Sequence, residues 1–440
     1  MMKRAIISGA LLFALLAGSV AQPVAAGAGP RVRKQKLAPG VVYKRLVYRH
    51  PRNRVHVVSI KPSAPSTVDT VLAGNRLRGF ERTSAMARRS KALVAINADY
   101  ARPNGQPVHL FGADGRVLQT ALVWGRNFGI DRSETQTYFG HPQPQVYASR
   151  VDDMVDHRVN RVNVGWPGRR QVGLYTMESK GVTDIPSDAC SARIYPKGTG
   201  TLTADGVQEH DYLVDAVRCR ERHMIRRGGT ILSAASDGMR SGEFGPRGIM
   251  PGDRIRVGWD MGWPNVSDTV GGNPILVKNG RVVWNDVRGS HPFFSRHPRT
   301  GVGVTGSGRL LFMVVDGRWK RSRGMTLARF AKEFRRLGAV WALNLDGGGS
   351  TTMVIKGKVV NRPSDGTERG VSSALVLLPG ADPGEGGSVQ TALVPTATTD
   401  SVAIQDAAST GGLLSAAVQE GDARSPYVRR LAERFEAARR

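Results

Sequence analysis

The sequence has little negative charge. Against 63 lysines and arginines it has 36 aspartates and glutamates, so its formal net charge is +27. A field of that sign attracts polyanions such as nucleic acid, phosphorylated glycans or anionic lipid surfaces. The arginines are scattered along the whole chain, as an arginine-rich codon usage would leave them. The charge therefore favours an anionic partner without choosing one.

Aromatic residues are also few, at 6% of the 440 residues, whereas glycine occurs 53 times. This mixture favours a turn-rich sheet protein over a helix bundle. We predict an α+β fold with a mixed β-sheet core and flanking helices. The nine histidines form no HExxH motif and no paired spacing, so none is assigned to a metal. No cofactor is expected, and a structural Ca²⁺ held by scattered aspartates and backbone oxygens stays an open alternative.

Only two cysteines occur, Cys190 and Cys219, 29 positions apart and far from a CxxC spacing. In an exported protein an even pair favours a structural disulfide over a metal or redox site. Two free buried thiols are the alternative.

The N-terminus has the pattern of a secretory signal. Lys3 and Arg4 precede an apolar run from Ala5 to Val20, and small residues follow. The run is too short to span a bilayer comfortably, which takes roughly 20 residues. We predict a signal peptide over residues 1–26, a secreted or extracytoplasmic mature protein, and no stable membrane span after cleavage. A retained signal anchor is the alternative.

Composition divides the rest of the chain. Residues 381–424 are rich in Ala, Gly, Thr, Ser and Asp, with weak patterning, and are typical of a linker. The predicted regions are an N-terminal strand region (27–84), a catalytic domain (85–379) with a possible insertion at 150–225, a flexible linker (380–424) and a C-terminal helix (425–440).

Local signals fix several elements. Asn279-Gly280 separates two apolar runs and predicts a hairpin turn. Thr326 has the position of an N-cap, and Gly338 that of a helix stop, for one helix between them. The buried strand that follows this helix ends in Asn344.

Two segments match without gaps, residues 86–99 and 333–346, with six of fourteen positions identical. Each has the pattern of a helix, a turn, an apolar strand and then Asn-x-Asp. We hypothesise an internal pseudo-repeat that brings Asn97, Asp99, Asn344 and Asp346 to one rim of a sheet, where open sheets place ligand groups. Coincidence is the alternative.

The most informative stretch is Asn344-Leu-Asp-Gly-Gly-Gly-Ser-Thr-Thr352. Three consecutive glycines cost backbone entropy, and they are explained where amides must approach an anion closely. It is not a P-loop, because no lysine follows the glycines. A purely structural glycine turn is the alternative.

A second cluster places a carboxylate and arginines at strand ends: Arg299, then Asp316-Gly317-Arg318, then Arg323. A guanidinium binds phosphate through two parallel hydrogen bonds, so this set suits catalysis combined with phosphate binding. Each fragment alone is weak, since Asp-Gly is ordinarily a turn.

Together these residues resemble the phosphodiester glycosidase domain family. The resemblance covers most of residues 85–379 and is dense after residue 270. Upstream the family typically has Asn-Gly-Gly/Asp-Phe-Phe, where this chain has Asn97-Ala-Asp-Tyr-Ala101, which leaves the identity of the sugar open. The matching segments are 270–284, 299–304, 315–318, 322–327, 342–354, 361–366, Arg369 and 373–374.

The resemblance implies hydrolysis of a sugar-1-phosphodiester to free sugar and a phosphomonoester, on a phosphorylated glycan or cell-surface polymer, with no nucleic-acid partner. It implies Asp346 and Asp316 as reacting carboxylates, with Asp99 as the third candidate. Trp319 is the aromatic residue that we expect to stack on sugar. Residues expected to bind or orient the substrate are Asn97, Arg299, Arg318, Arg323, Asn344, Gly347, Gly348, Gly349, Ser350, Asp365 and Arg369.

Two rival functions remain. The chain could be a non-catalytic binding module for an anionic cell-envelope polymer, using the same charge. An aspartic peptidase would need Asp-Thr/Ser-Gly in both halves, and Asp99 is followed by Tyr100, which argues against it.

Overall fold

The computed structural model describes residues 29–152, 155–165, 171–179, 189–219, 225, 229–235, 248–284 and 292–380. The predicted signal peptide and C-terminal helix, and the predicted linker beyond Gly380, lie outside the described residues. Strands make up 51% and helices 9% of the described chain. None of its helices is long and apolar enough to cross a bilayer.

The predicted α+β class is wrong. The described chain is mostly β, with only two α-helices and a seven-stranded β-barrel. We expected a core sheet with both parallel and antiparallel pairs, but among the described strands only one pair is parallel and all others are antiparallel. The helices that the sequence predicts are present but short, and the described glycines lie mostly in turns and loops between strands.

The large sheet has eight antiparallel strands and positions the glycine-rich turn. In spatial order they are β1 (Arg31–Ala38), β2 (Val41–Arg49), β3 (Arg52–Ile60), β23 (Leu310–Val315), β22 (Arg299–Thr305), β24 (Ala339–Asn344), β20 (Ile275–Lys278) and β21 (Arg281–Val282).

The small sheet has five strands and carries the first Asn-x-Asp segment. In spatial order they are β26 (Lys358–Val359), β25 (Met353–Ile355), β6 (Val94–Asn97), β28 (Ser373–Pro379) and β4 (Ser66–Leu72); a separate ladder joins β27 (Gly370–Val371) to β5 (Glu81–Arg82).

The large and small sheets face each other across one core. Along β23, Leu310, Phe312 and Val314 enter this shared core, together with Ile96 and Leu375 of the small sheet. The intervening β23 residues point to the opposite face of the large sheet. This alternation is the period of two that a strand requires when both of its faces are buried.

One helix covers the outer face of each sheet. Helix α2 (Leu327–Arg336) packs Phe330 and Phe334 on the large sheet, and α1 (Thr83–Arg89) packs Met86 on the small sheet. The Thr326 hydroxyl accepts a hydrogen bond from the Arg329 amide, which confirms the predicted N-cap. Short 3₁₀ helices occur at Ala73–Asn75, Met177–Ser179, Pro292–Phe294 and Gly348–Ser350.

A third sheet of five strands also lines the shared core and connects to the barrel. Its strands in spatial order are β10 (Thr137–Gly140), β9 (Arg126–Asp131), β19 (Val266–Gly272), β7 (Phe111–Ala113) and β8 (Arg116–Gln119).

The barrel overlaps the predicted insertion at 150–225. Pairing of its first and seventh strands closes the ring, and a disulfide joins Cys190 to Cys219 across that ladder, as predicted. Around the ring the strands are β14 (Ala189–Pro196), β17 (Thr230–Ala235), β13 (Val172–Tyr175), β12 (His157–Val162), β11 (Gln145–Arg150), β18 (Arg254–Asp260) and β16 (Gln208–Cys219), with β15 (Thr201–Leu202) attached to β16.

A buried carboxyl group and a partly buried one meet between the small and third sheets. Asp268 of β19 accepts hydrogen bonds from the amide and the hydroxyl of Thr70, at 3.1 and 2.9 Å, and also hydrogen-bonds to Asp69. Burial raises the pKa of Asp268 well above its ordinary value, and Asp69 raises it further; burial also raises the pKa of Asp69. The two groups therefore share a proton in the folded state.

This pair makes stability depend on pH. A raised native pKa contributes stability that is fully present below the unfolded pKa and is lost as the pH rises through the native pKa. We expect Asp268→Asn to raise the free energy of unfolding at pH 8 by about 1 kcal/mol or more, since one pKa unit is worth about 1.4 kcal/mol. At pH 4 the gain should vanish. Urea denaturation at both pH values measures it, and an equal effect at both would contradict the shared proton.

Candidate active site

Each of the three glycines after β24 is required for a different steric reason. Gly347 lies against the carbonyl of Pro298, 2.9 Å from where a Cβ would stand. Gly348 has a φ of +62°, a left-handed conformation that favours glycine. At Gly349 a Cβ would stand 2.2 Å from the Arg369 guanidinium. The turn is therefore shaped by close neighbours on both sides.

Two of the glycine amides that we expected to bind an anion have hydrogen-bond partners within the protein. The Gly348 amide donates to the Pro298 carbonyl at 3.0 Å. The Gly347 amide donates to the carboxylate of Asp346. These donors are engaged within the protein, so they hold the turn and the acid in place.

Asp346 stands at the centre of the site. It is partly exposed, although protein atoms surround its carboxyl group. The pKa of Asp346 is raised to about 6, chiefly by burial and also by the charge of Asp99. Hydrogen bonds from Ser350 and Gly347 and the charge of Arg369 act in the opposite direction and lower it. The group is thus poised to change its protonation near neutral pH, as a catalytic carboxylate must.

The two Asn-x-Asp segments meet, as the pseudo-repeat hypothesis required. The Asn97 side-chain amide donates to the backbone carbonyl of Asp346 at 2.7 Å, and the Asp346 amide donates to the Ala98 carbonyl at 2.9 Å. The Asn97 oxygen accepts from the Thr300 hydroxyl at 2.8 Å and from the Thr352 amide at 3.0 Å. Asn97 is therefore committed to joining the sheets.

Asp99 forms a buried pair with His109. Its carboxylate lies 2.5 Å from the imidazole Nδ1 and also accepts the backbone amides of Tyr100 and His109, at 2.7 and 2.9 Å. Both side chains are fully buried. Glycines make room for His109: a Cβ on Gly125 or Gly271 would stand 1.9 or 2.1 Å from its side chain. This arrangement suits a positioning role for Asp99 more than direct reaction.

Asn344 belongs to a neighbouring polar network. Its side-chain amide donates to the Tyr100 hydroxyl and to the Asn273 carbonyl, both at 2.8 Å. Its side-chain oxygen is buried without a hydrogen-bond partner among the described residues. A buried acceptor left in this state is costly, so a substrate or solvent donor fits this position.

A partly exposed group of charges lies over the glycine turn. Arg369 donates twice to Asp365, once at 3.0 Å and once through a shorter contact. Arg318 lies 3.9 Å from Asp365 and 3.3 Å from the Nδ1 of His297, and it would stand 3.3 Å from a Cβ on Gly348. These side chains reach solvent beside Asp346, where they can contact an anion.

Asp316 belongs to a different buried cluster. One carboxylate oxygen accepts the Arg362 amide at 2.9 Å, and the other lies 3.6 Å from the Nε2 of His56, whose Nδ1 lies 2.6 Å from the Tyr43 hydroxyl. Asp316 is only 2% exposed. Its geometry therefore argues against the predicted role as a second reacting carboxylate.

Two predicted contacts are placed elsewhere. Arg299 is buried and donates to the carbonyls of Met325, Phe293 and Ser295, at 3.0, 2.8 and 2.9 Å, so it joins backbone segments. The guanidinium carbons of Arg54 and Arg362 lie 4.6 and 4.3 Å from the centroid of the Trp319 ring. The ring is therefore already stacked and is not open for a sugar. Arg323 is exposed.

Sequence reasoning missed the two histidines, His109 and His56. No spacing marks either residue, because each meets its aspartate only through tertiary packing. Across the described residues no group of three or more His, Cys, Asp or Glu side chains is arranged to hold a metal ion.

Residues 205–378 match the sequence profile of the phosphodiester glycosidase family, and this span contains the glycine turn, Asp346, Asp365 and Arg369. This part of the chain is similar to phosphodiester glycosidase domains.

Curated relatives match over limited segments of this chain. An SPbeta prophage-derived uncharacterized protein of Bacillus subtilis, YomE, is 40% identical over 82 residues, which are 19% of this chain and 13% of that protein. The N-acetylglucosamine-1-phosphodiester alpha-N-acetylglucosaminidase of Mus musculus is 31% identical over 155 residues, 30% of this chain and 29% of that enzyme. The matches thus span less than a third of either relative.

A solved structure shares the fold. A hypothetical protein from Synechocystis superposes with a TM-score of 0.59 at 22% identity, covering 80% of this chain and 64% of that one. The architecture of this chain therefore recurs where the sequences have diverged widely.

The site geometry predicts the effect of a methyl group at Gly349. In Gly349→Ala the new Cβ would displace the side chains of Arg369 and Asp365, whose flexible ends can move, so the fold should survive. We expect a Tm close to that of the parent and a loss of roughly tenfold or more in activity from misplaced charges.

Gly306→Ala is the matched control, because its Cβ would make only an ordinary contact at 3.6 Å. Full activity in Gly349→Ala, in a protein with the parent's Tm, would remove the Arg369–Asp365 pair from the site.

Proposed function

We propose that this protein hydrolyses a sugar-1-phosphodiester, releasing free sugar and a phosphomonoester. The observation that carries the proposal is Asp346: a carboxylate with a pKa near 6, partly exposed beside Arg369 and Arg318, within a phosphodiester glycosidase domain. An anionic substrate with a reactive anomeric carbon fits an acid and a guanidinium placed side by side.

In the proposed reaction the bond between C1 and the phosphate oxygen breaks through an oxocarbenium-like state. Above pH 6 Asp346 is mostly ionised, and it stabilises the positive charge at C1 or removes a proton from the attacking water. The departing phosphate carries the bonding electrons and is bound by Arg369 and Arg318. Because phosphate is a good leaving group, protonation by a second acid matters less than binding it.

The surrounding residues act through Asp346. Ser350 and the Gly347 amide stabilise its ionised form, whereas the negative charge of Asp99 opposes ionisation. We assign Asp99 with His109 and Asp316 with His56 as positioning pairs. Asn97 and Asn344 fix the backbone around the acid, and the free buried oxygen of Asn344 is a candidate acceptor for a sugar hydroxyl.

We also propose that the enzyme acts outside the cytoplasm. The support is the signal-like sequence of residues 1–26 and the disulfide between Cys190 and Cys219, since disulfides persist in oxidising compartments. The mouse relative's name makes an N-acetylglucosamine-1-phosphodiester the first substrate to try.

Asp346→Asn tests the proposed function directly. We expect the variant to keep its fold and to lose activity on the order of 10³-fold, the size of a lost acid–base group, on a panel of sugar-1-phosphodiesters with the released monosaccharide identified. Asp215→Asn is the control, because Asp215 is exposed on the barrel and pairs with Arg193. Parent protein that turns over no member of the panel would favour the non-catalytic binding module.

The pH profile tests the electrostatics separately. If ionised Asp346 is needed, kcat/KM should fall as the pH drops through about 6. Asp99→Asn removes a charge that raises the pKa of Asp346, so the acid limb should move to lower pH. Arg369→Gln removes a charge that lowers it, so the limb should move to higher pH.

A merely structural role for Asp99 and Arg369 would not move the acid limbs of the two variants in opposite directions. Acid limbs that coincide with the parent's in both variants would show that Asp346 is not the group that titrates.

A further inference from the structure

A cationic patch surrounds Trp319 next to the proposed site. Five of its six side chains are exposed and the sixth, Arg54, is partly exposed. We call this set the Trp319 patch; its members are Arg52, Arg54, Lys320, Arg321, Arg323 and Arg362.

The patch is built from three chain segments that hydrogen bonds hold together. The Asp316 amide donates to the Arg54 carbonyl at 3.0 Å, and the Arg362 amide donates to the Asp316 carboxylate at 2.9 Å. The Arg323 amide donates to the Arg52 carbonyl at 3.0 Å. The backbones that carry these cations are therefore fixed relative to one another.

Trp319 also orders the cations. The guanidinium carbons of Arg362, Arg54 and Arg321 lie 4.3, 4.6 and 6.0 Å from its ring centroid. A guanidinium stacked on an aromatic ring keeps its N–H groups available for paired hydrogen bonds to phosphate. Stacking thus prepares the arginines before a ligand arrives, which lowers the entropy cost of binding.

The patch lacks acidic partners. None of its six side chains forms an ion pair with another residue of the described chain. Asp316, the acid nearest to Trp319 in sequence, is buried, and Asp365, three residues from Arg362, pairs with Arg369 instead. Cations gathered without counter-charges repel one another, so an anion bound there is strongly favoured.

The patch continues directly from the proposed site. Arg318, which lies over Gly348, immediately precedes Trp319 in the chain. A polymer whose scissile phosphate is bound at Arg369 and Arg318 would therefore run its next phosphates across the Trp319 patch.

We propose that the Trp319 patch binds the phosphates of a multi-phosphate glycan beyond the bond that is cleaved, which makes the substrate a polymer. This inference rests on the proposed function. A single-stranded nucleic acid is disfavoured, because its bases need open aromatic rings and Trp319 is already stacked with guanidiniums.

The test variant is Arg54→Gln/Arg321→Gln/Arg362→Gln. The matched control is Arg158→Gln/Arg161→Gln/Lys197→Gln, which removes the same charge from three exposed barrel positions. Each is assayed on a sugar-1-phosphodiester with a single phosphate and on an oligomer of sugar-1-phosphate units. Binding of inorganic polyphosphate, single-stranded DNA and anionic vesicles is measured alongside.

The parent should cleave the oligomer about tenfold more efficiently per bond than the single phosphodiester, with an advantage that salt removes. The test variant should lose that advantage and bind polyphosphate more weakly, while its kcat/KM on the single phosphodiester and its Tm stay unchanged. The barrel control should match the parent. Trp319→Leu, which keeps the charge, should lose part of the advantage.

The proposal would be overturned if both triple variants lost the advantage on the oligomer equally. It would also be overturned if the test variant weakened the binding of DNA or vesicles more than the binding of polyphosphate. If instead the proposed function fails, the parent will cleave neither substrate. Polyphosphate binding by the parent and the test variant would then still decide whether the patch binds an anionic polymer.

Discussion

The side chain of Asn97 is the interaction on which the site depends. It lies at the end of a small-sheet strand, donates to the carbonyl of Asp346 and accepts from Thr300 and Thr352. One buried amide thus adds three hydrogen bonds where two sheets with an apolar shared core meet. Such a buried group specifies one relative position of the sheets, because any slip would leave its donor and acceptor unpaired.

The electrostatics of the site follow from that position. Once Asp346 is held beside the buried Asp99, burial and like charge raise its pKa, whereas Arg369 and Ser350 moderate the rise. The glycines admit the cations, since a side chain at Gly349 would occupy the place of Arg369. The same packing that closes the core therefore sets the protonation of the central acid.

Sequence reasoning succeeded where the chemistry is local. Thr326 and the Asn279-Gly280 turn act on their immediate neighbours, so their patterns predicted a helix cap and a hairpin correctly. The meeting of the two Asn-x-Asp segments was predicted from their likeness to each other. The fold class was wrong because helix signals were given too much weight, and the barrel depends on long-range pairings such as Cys190 with Cys219 that no periodicity displays. His109 was missed for the same reason.

The barrel has a consequence for how the chain is assembled. Along the chain its first strand is β11 and its last is β18, and these two pair with Gln145 opposite Asp260. The chain therefore leaves the third sheet and returns to it at nearly one point. An excursion of that kind adds little closure entropy to the rest of the fold. The large and small sheets could therefore keep all of their strand pairings while this module was gained, shortened or exchanged.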